Sequence, residues 1–241
     1  RELRQSLGAK FDRVVLLAPS MPREEYESKR QHLGFVDLER DGIAFVPAHR
    51  TDASARQFWS SAPSLWRRIK EAVSTAGIVH SGMSSDILRP LMAMTNLAGR
   101  LQGRPLVFVV DIDFRLNAER SRHLGIWSLK SYLVNRLFYD PLKWLQVWLA
   151  PRACQLVLLK SESLVADFGR GRPNVRNFYD TVHGAADVLQ AQEAAARLTW
   201  LAETGRPLEL VYFGRFVRYK GLDRAIEAVR LARLMGTDVR L

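Results

Sequence analysis

The densest run of chemistry-bearing residues is Phe213-Gly214-Arg215-Phe216-Val217-Arg218-Tyr219-Lys220-Gly221-Leu222-Asp223. An apolar run, Leu208 to Phe213, leads into it, and a helical pattern with Leu222, Ile226, Val229 and Leu234 on one face follows it. A strand-to-helix turn of this kind suits a diphosphate. The first backbone N–H groups of a helix have no partner within it, and the positive end of the helix dipole faces the ligand. Gly214 lets the backbone come close, Gly221 opens the helix, and Arg215 and Lys220 put a cation on either side of the loop. The guanidinium can grip a phosphate with two hydrogen bonds at once. As an isolated pair, an Arg and a Lys at a helix start are also what the solvated surface of any α/β protein carries.

A second set of candidates lies at the ends of apolar runs. Asp111 and Asp113 follow Pro105 to Val110, and carboxylates at the carboxyl ends of parallel strands point into the ligand crevice. Either can act as an acceptor-side base or hydrogen-bond partner. The alternative is that they cap the following helix or pair with Arg115. Of the five histidines only His80 falls at the end of an expected strand, where a lone His is most often a hydrogen-bonded structural residue. No His, Cys and Asp residues cluster at metal-ligand spacing, so no metal is expected.

Short β-branched and apolar runs must position these groups. They are Arg13 to Ala18, Ile43 to Pro47, Gly77 to His80, Pro105 to Val110, Gln155 to Lys160 and Asn174 to Tyr179. Helical stretches separate them, among them Ala55 to Ser74 and Ile87 to Leu101. Alternation of this kind builds βαβ units, and several runs are apolar on both faces, as in a parallel sheet covered by helices on each side. The Ala- and Gln-rich stretch from Gly184 to Glu203 and the turn Thr204-Gly205-Arg206-Pro207 place a domain boundary. The expected fold is therefore α/β, a first domain over residues 1–203 and the first βα unit of a second over residues 204–241, cut off before a further strand pairs. The chain opens at Arg1 inside an expected charged helix and stops at Leu241 in an expected strand, and is read as a piece of a longer protein.

The chain has 241 residues and 47% hydrophobic content, enough for a sizeable core. Its 36 Lys and Arg against 25 Asp and Glu leave it at +11, which favours anionic partners: phosphates, acidic headgroups or nucleic acid. Nucleic acid is the least expected, because the charges are scattered and no recognition helix, RNA-binding aromatic motif or basic tail stands out. One cysteine, Cys154, excludes an intrachain disulfide and fits a reducing, cytoplasmic setting. No apolar run reaches the length of a membrane-spanning helix. Leu124 to Pro151 is dense in Trp and Leu, interrupted by Lys130, Arg136 and Lys143, with Arg152 following. Core packing, broken in two at Pro141, is the expectation for most of it, with surface Trp and Lys left to touch an anionic membrane.

Phe213 to Asp223, with Ala225-Ile226-Glu227-Ala228 behind it, resembles the donor-binding signature of the family 4 glycosyltransferases. These retaining enzymes have two facing Rossmann-like domains, the GT-B fold. Weaker likenesses run through the rest in the same order: Gly77-Ile78-Val79-His80, Leu101 to Phe108, Cys154 to Glu162 with its Ser-Glu ending, and Asn174 to Asp180. The resemblance implies a GT-B-type parallel sheet flanked by helices and transfer of a sugar from a nucleotide-diphosphate sugar, the co-substrate, to a glycan or lipid-linked acceptor. No bound cofactor or metal is implied. Gly214, Arg215, Lys220 and Gly221 would hold the donor diphosphate, with Arg215 and Lys220 neutralising it as it leaves, while His80, Asp113 and Glu162 would face the acceptor side. The single cysteine and the aromatic, basic segment together give the expected location as cytoplasmic, with peripheral contact at the inner face of a membrane. The chain departs from the family where a His commonly follows the strand at Val107 to Val110. Here the residues are Asp111-Ile112-Asp113, which makes Asp111 the candidate catalytic carboxylate and keeps an inverting transferase or a sugar-nucleotide epimerase open. The family's first strand with its glycine-rich turn would precede Arg1, and its donor-sugar-binding Glu-x7-Glu would follow Leu241.

Overall fold

The computed structural model describes residues 11–29, 42–178, 188–202, 207–212 and 220–241. The expected N-terminal charged helix, the turn Thr204-Gly205-Arg206 and the loop residues Phe213 to Tyr219, Gly214 and Arg215 among them, lie outside the described residues. The chain divides into two compact units, Arg1–Tyr179 and Asp180–Leu241, each described by itself.

The first unit is an α/β, Rossmann-like structure. Strands β1 (Val14–Ser20) and β2 (Ile43–Arg50) pair in parallel, with helix α1 (Arg23–Lys29) following β1. Helices α2 (Ala55–Ser60) and α3 (Ala62–Ser74) lead to β3 (Val79–Gly82), α4 (Leu91–Leu101) and β4 (Leu106–Val110). Then come α5 (Phe114–His123), α6 (Leu129–Val134), a π-helical turn (Asn135–Tyr139), α7 (Asp140–Ala153), β5 (Leu156–Leu159), α8 (Glu162–Phe168) and β6 (Val175–Asn177). Strands β3, β4, β5 and β6 form one parallel sheet in that order, and among the described residues no hydrogen bonding joins β1 to β3. The second unit holds α9 (Ala191–Ala202), β7 (Leu208–Glu209), α10 (Leu222–Leu234) and β8 (Val239–Arg240).

The alternation expected from the apolar runs is present, and the elements differ from expectation in ways with local causes. The stretch Ala55 to Ser74 is two helices, because Ser61 turns the chain and Pro63 starts a second helix at the position where a missing N–H costs nothing. Strand β2 runs past Pro47 to Arg50. As β2 pairs with β1 alone among the described residues, its Pro sits on an edge strand that can spare an N–H. The second unit is also more complete than expected, since Val239–Arg240 pairs in parallel with Leu208–Glu209 and closes a βαβ unit.

One core holds the first unit together: Leu65, Ile69 and Val73 of α3 and Ala98 of α4 meet Val79, Leu106, Phe108, Val110, Val157 and Leu159 of the sheet. Cys154, at the end of α7, is buried beside them, and burial pushes its thiol up to about 11 despite the opposing pull of Arg100. At pH 8 only about 0.1% of it is thiolate, so an aromatic disulfide reagent is expected to label it slowly in the native protein and at the ordinary rate in urea. Equal rates in the two conditions would show that Cys154 is accessible.

The aromatic segment departs furthest from expectation. Pro141 does not break the helix; it occupies the first turn of α7, and the π-helical turn carries the chain through from α6. Nor is the segment mainly core. Val147 and Ala150 are buried, whereas Leu137, Phe138, Leu142, Trp144, Leu145 and Trp148 are exposed.

Candidate active site

Strands β3 and β4 end at a cleft of about 570 Å³, lined in part by His80, Gly82, Asp111, Phe114, Asn117 and Lys143. It lies where a parallel sheet places its ligands, beyond the carboxyl ends of adjacent strands. Its floor is close-packed. A Cβ on Gly82 would lie 2.8 Å from the Val109 carbonyl oxygen, so any larger residue would push the strand ends apart. The Asn96 Nδ2 donates to the Gly82 carbonyl at 3.2 Å. Gln146 ties α7 to the loop after β3 by a two-way bond, accepting from the Ser84 N–H at 2.9 Å and donating to its carbonyl at 3.2 Å.

The structure separates the two aspartates. Asp111 is exposed on the cleft wall. Asp113 is buried and caps α5, its carboxylate accepting from the N–H groups of Arg115 (3.1 Å) and Leu116 (3.5 Å). It also pairs with the Arg115 guanidinium at 3.1 Å, which in turn reaches Asp167 at 2.6 Å. Burial pushes the Asp113 carboxyl up, but the hydrogen bond and charge of Arg115, with the two backbone N–H groups, outweigh it and hold the group below the ordinary carboxylate range. Asp113 is thus the helix cap that was the alternative, and its acceptor-side role is withdrawn: both oxygens are engaged, and Ser163 Oγ adds a third partner at 3.3 Å.

His80 is exposed and lines the same cleft as Asp111. Glu162 is exposed in the first turn of α8, behind the cap Ser161, and does not line that cleft. The structure therefore brings His80 and Asp111 together and leaves Asp113 and Glu162 elsewhere.

It adds Lys143, which the sequence left among the cations of the aromatic segment. Its side chain is 12% exposed and its Nζ lies 5.9 Å from the Phe114 ring centroid, a cation–π distance. Behind it stands a buried polar group. Asn135 Nδ2 donates to Asp140 Oδ1 at 2.7 Å, Lys143 Nζ donates to Asn135 Oδ1 at 3.2 Å, and Asp140 Oδ1 lies 3.6 Å from that Nζ. The π-helical turn makes this possible. Its i to i+5 spacing, seen in the Asp140 N–H donating to the Asn135 carbonyl, stacks two side chains that an α-helix would splay apart. Spacing read at 3.6 residues per turn could not have found the trio.

His49 was missed for a related reason, since β2 was expected to stop at Pro47. It stands near the carboxyl end of β2, edge-on to Phe58 at 5.1 Å, in a separate cleft with Ser20, Arg50 and Gln57. Its Nδ1 is buried without a hydrogen-bond partner. Burial, with the charge of Arg89, lowers its pKa against a smaller opposing effect of Asp86, so the neutral ring is favoured.

In the second unit, Lys220 and Gly221 stand directly before α10, as the sequence expects. Gly221 is the N-cap, with φ at +73° and open space where a Cβ would be. A side chain there would be strained, and among the described residues no side chain caps the helix. Gly214 and Arg215 lie outside the described residues. Among the described residues no group of three His, Cys, Asp or Glu is arranged to hold a metal ion, and no helix is long and apolar enough to cross a membrane. No family model and no curated protein matches this chain.

Proposed function

We propose that the protein is a nucleotide-sugar-dependent glycosyltransferase that moves a sugar from a nucleotide-diphosphate donor to a hydroxyl of a glycan or lipid-linked acceptor. The observation that carries this reading is the Lys220-Gly221-Leu222-Asp223 opening of α10 inside a parallel βαβ unit, a left-handed glycine at an uncapped helix start. Such an opening offers a diphosphate free N–H groups and a positive dipole, with Lys220 and, from the sequence, Arg215 as countercharges. On the acceptor side, Asp111 takes the hydroxyl's hydrogen bond and proton, and Lys143 adds positive charge to the same cleft.

Retention follows from the resemblance alone. Inversion is the second reading, favoured by a cleft carboxylate at Asp111 where the family commonly has His. The anomeric configuration of the product, read by NMR, separates them.

The test of the donor site is titration with a panel of nucleotide diphosphates and nucleotide sugars, the unaltered protein beside Arg215→Ala and Lys220→Ala. Each substitution is expected to weaken binding of the preferred nucleotide by about 1.5–3 kcal/mol, the usual value of a hydrogen bond to a charged group. Binding indifferent to both substitutions, or no binding to any of the panel, would sink the reading.

A further inference from the structure

The outer surface of α6, the π-helical turn and α7 is apolar where a surface helix is ordinarily polar. With Asp140, Lys143, Val147 and Ala150 turned inward, the opposite arc of α7 carries Trp144, Trp148, Leu145, Leu149 and Leu142. At 100° per residue these five fill one continuous arc, interrupted only by Arg152. The preceding turn adds Leu137 and Phe138, 65% and 64% exposed. Both faces of α7 are thus apolar, and among the described residues of the first unit the outer one is covered only where Trp144 meets Phe168 at 5.8 Å; an exposed patch of this kind marks an interaction surface.

Charge selects the occupant. Between Leu124 and Ala153 the cations are Lys130, Arg136, Lys143 and Arg152, and the one acid is Asp140, which is 5% exposed and paired within the protein. This segment therefore shows apolar groups and positive charge, with no exposed acid of its own. A second copy meeting this face about a twofold axis would bring two positively charged patches together with no acid to offset them. An anionic lipid surface takes both components: rings and Leu side chains enter the headgroup and acyl boundary, and the long cationic side chains reach phosphates. The indoles are arranged for this. Trp144 and Trp148 stack at 6.2 Å, and the Arg152 guanidinium lies 3.9 Å over the Trp148 ring, which holds a cation within the apolar patch.

We infer that the outer face of Lys130 to Arg152 is a docking surface for an anionic membrane, lying in the interface rather than crossing it. This inference stands apart from the donor-site proposal, and its test uses no nucleotide. The whole protein is sedimented with vesicles of phosphatidylcholine plus phosphatidylglycerol and with vesicles of phosphatidylcholine alone. Two double variants, Phe138→Ser with Trp148→Ser and Lys130→Glu with Arg152→Glu, are compared after far-UV circular dichroism shows native helix content. Binding is expected to the anionic vesicles, with the partition coefficient falling tenfold or more in each double variant and also on raising salt, as about fivefold per surface charge predicts. Equal binding to both vesicle types, binding untouched by the apolar pair, or no binding at all would overturn the inference. So would a dimer in light scattering that the Phe138→Ser, Trp148→Ser protein loses, in the absence of vesicle binding, which would make the face a protein interface.

Discussion

An Asp111→Asn variant is expected to bind the donor nucleotide within about twofold of the unaltered protein and to lose about 10²- to 10⁴-fold in transfer rate, the range for removing a general base. The side chain lies exposed on the wall of the cleft at the ends of β3 and β4, with His80 and Lys143 on the same wall. An amide keeps the size and the hydrogen-bonding oxygen but cannot take a proton. If Asp111 is the base, kcat should fall and KM for the acceptor should change little. A loss of about tenfold or less would mean that Asp111 only orients the acceptor, with the departing diphosphate taking the proton. An unchanged rate would remove this cleft from the reaction. Asp113→Asn is the control on the next carboxylate: both Asp113 oxygens are engaged in capping α5 and pairing with Arg115, so its loss should appear in stability before it appears in rate.

The second large effect is expected at Asp140, which touches neither the proposed donor nor the acceptor. Its carboxylate is buried between Arg136 and Lys143 at 3.6 Å each and accepts the Asn135 amide at 2.7 Å. Asp140→Ala leaves the Lys143 ammonium, 12% exposed, without its countercharge, and removing one partner of a buried pair typically costs about 3–5 kcal/mol. Arg136 is 46% exposed and contributes little to that figure, because water screens it. Urea denaturation reads the loss as a fall in midpoint at constant m-value. The double variant Asp140→Ala, Lys143→Met separates charge from packing, since removing both charges should recover most of the stability. If the single variant is as stable as the unaltered protein, the π-helical turn is held by packing alone and Lys143 is not positioned by charge.

The difference between these two sites bears on what a sequence can reveal. Asp111 could be singled out because a β-strand ends where its apolar run ends, and the residue after Val110 must leave the sheet. Asp113 could not be told from it by type or spacing. Its role as a cap depends on α5 beginning at Phe114 and on Arg115 folding back across it. The trio Asn135, Asp140 and Lys143 was hidden more deeply: Asp140 and Lys143 stand at ordinary i, i+3 spacing, but Asn135 joins them only through the i to i+5 spacing of the π-helical turn. His49 was lost to a single assumption, that Pro47 ends a strand, which fails on an edge strand.

By itself the sequence determined the α/β class, the approximate position of each strand of the main sheet and the helix start at Lys220-Gly221. These depend on apolar periodicity and on glycine, whose effects act within a few residues along the chain. Tertiary structure alone decided which of two neighbouring carboxylates faces the cleft, that Lys143 joins it, and that the Trp- and Leu-rich face of α7 is exposed among the described residues of the first unit. Apolar residues on both sides of a helix have the same local signature whether they are buried or exposed. Only the placement of the sheet, which Val147 and Ala150 reach and Leu145 and Trp148 do not, tells the two faces apart.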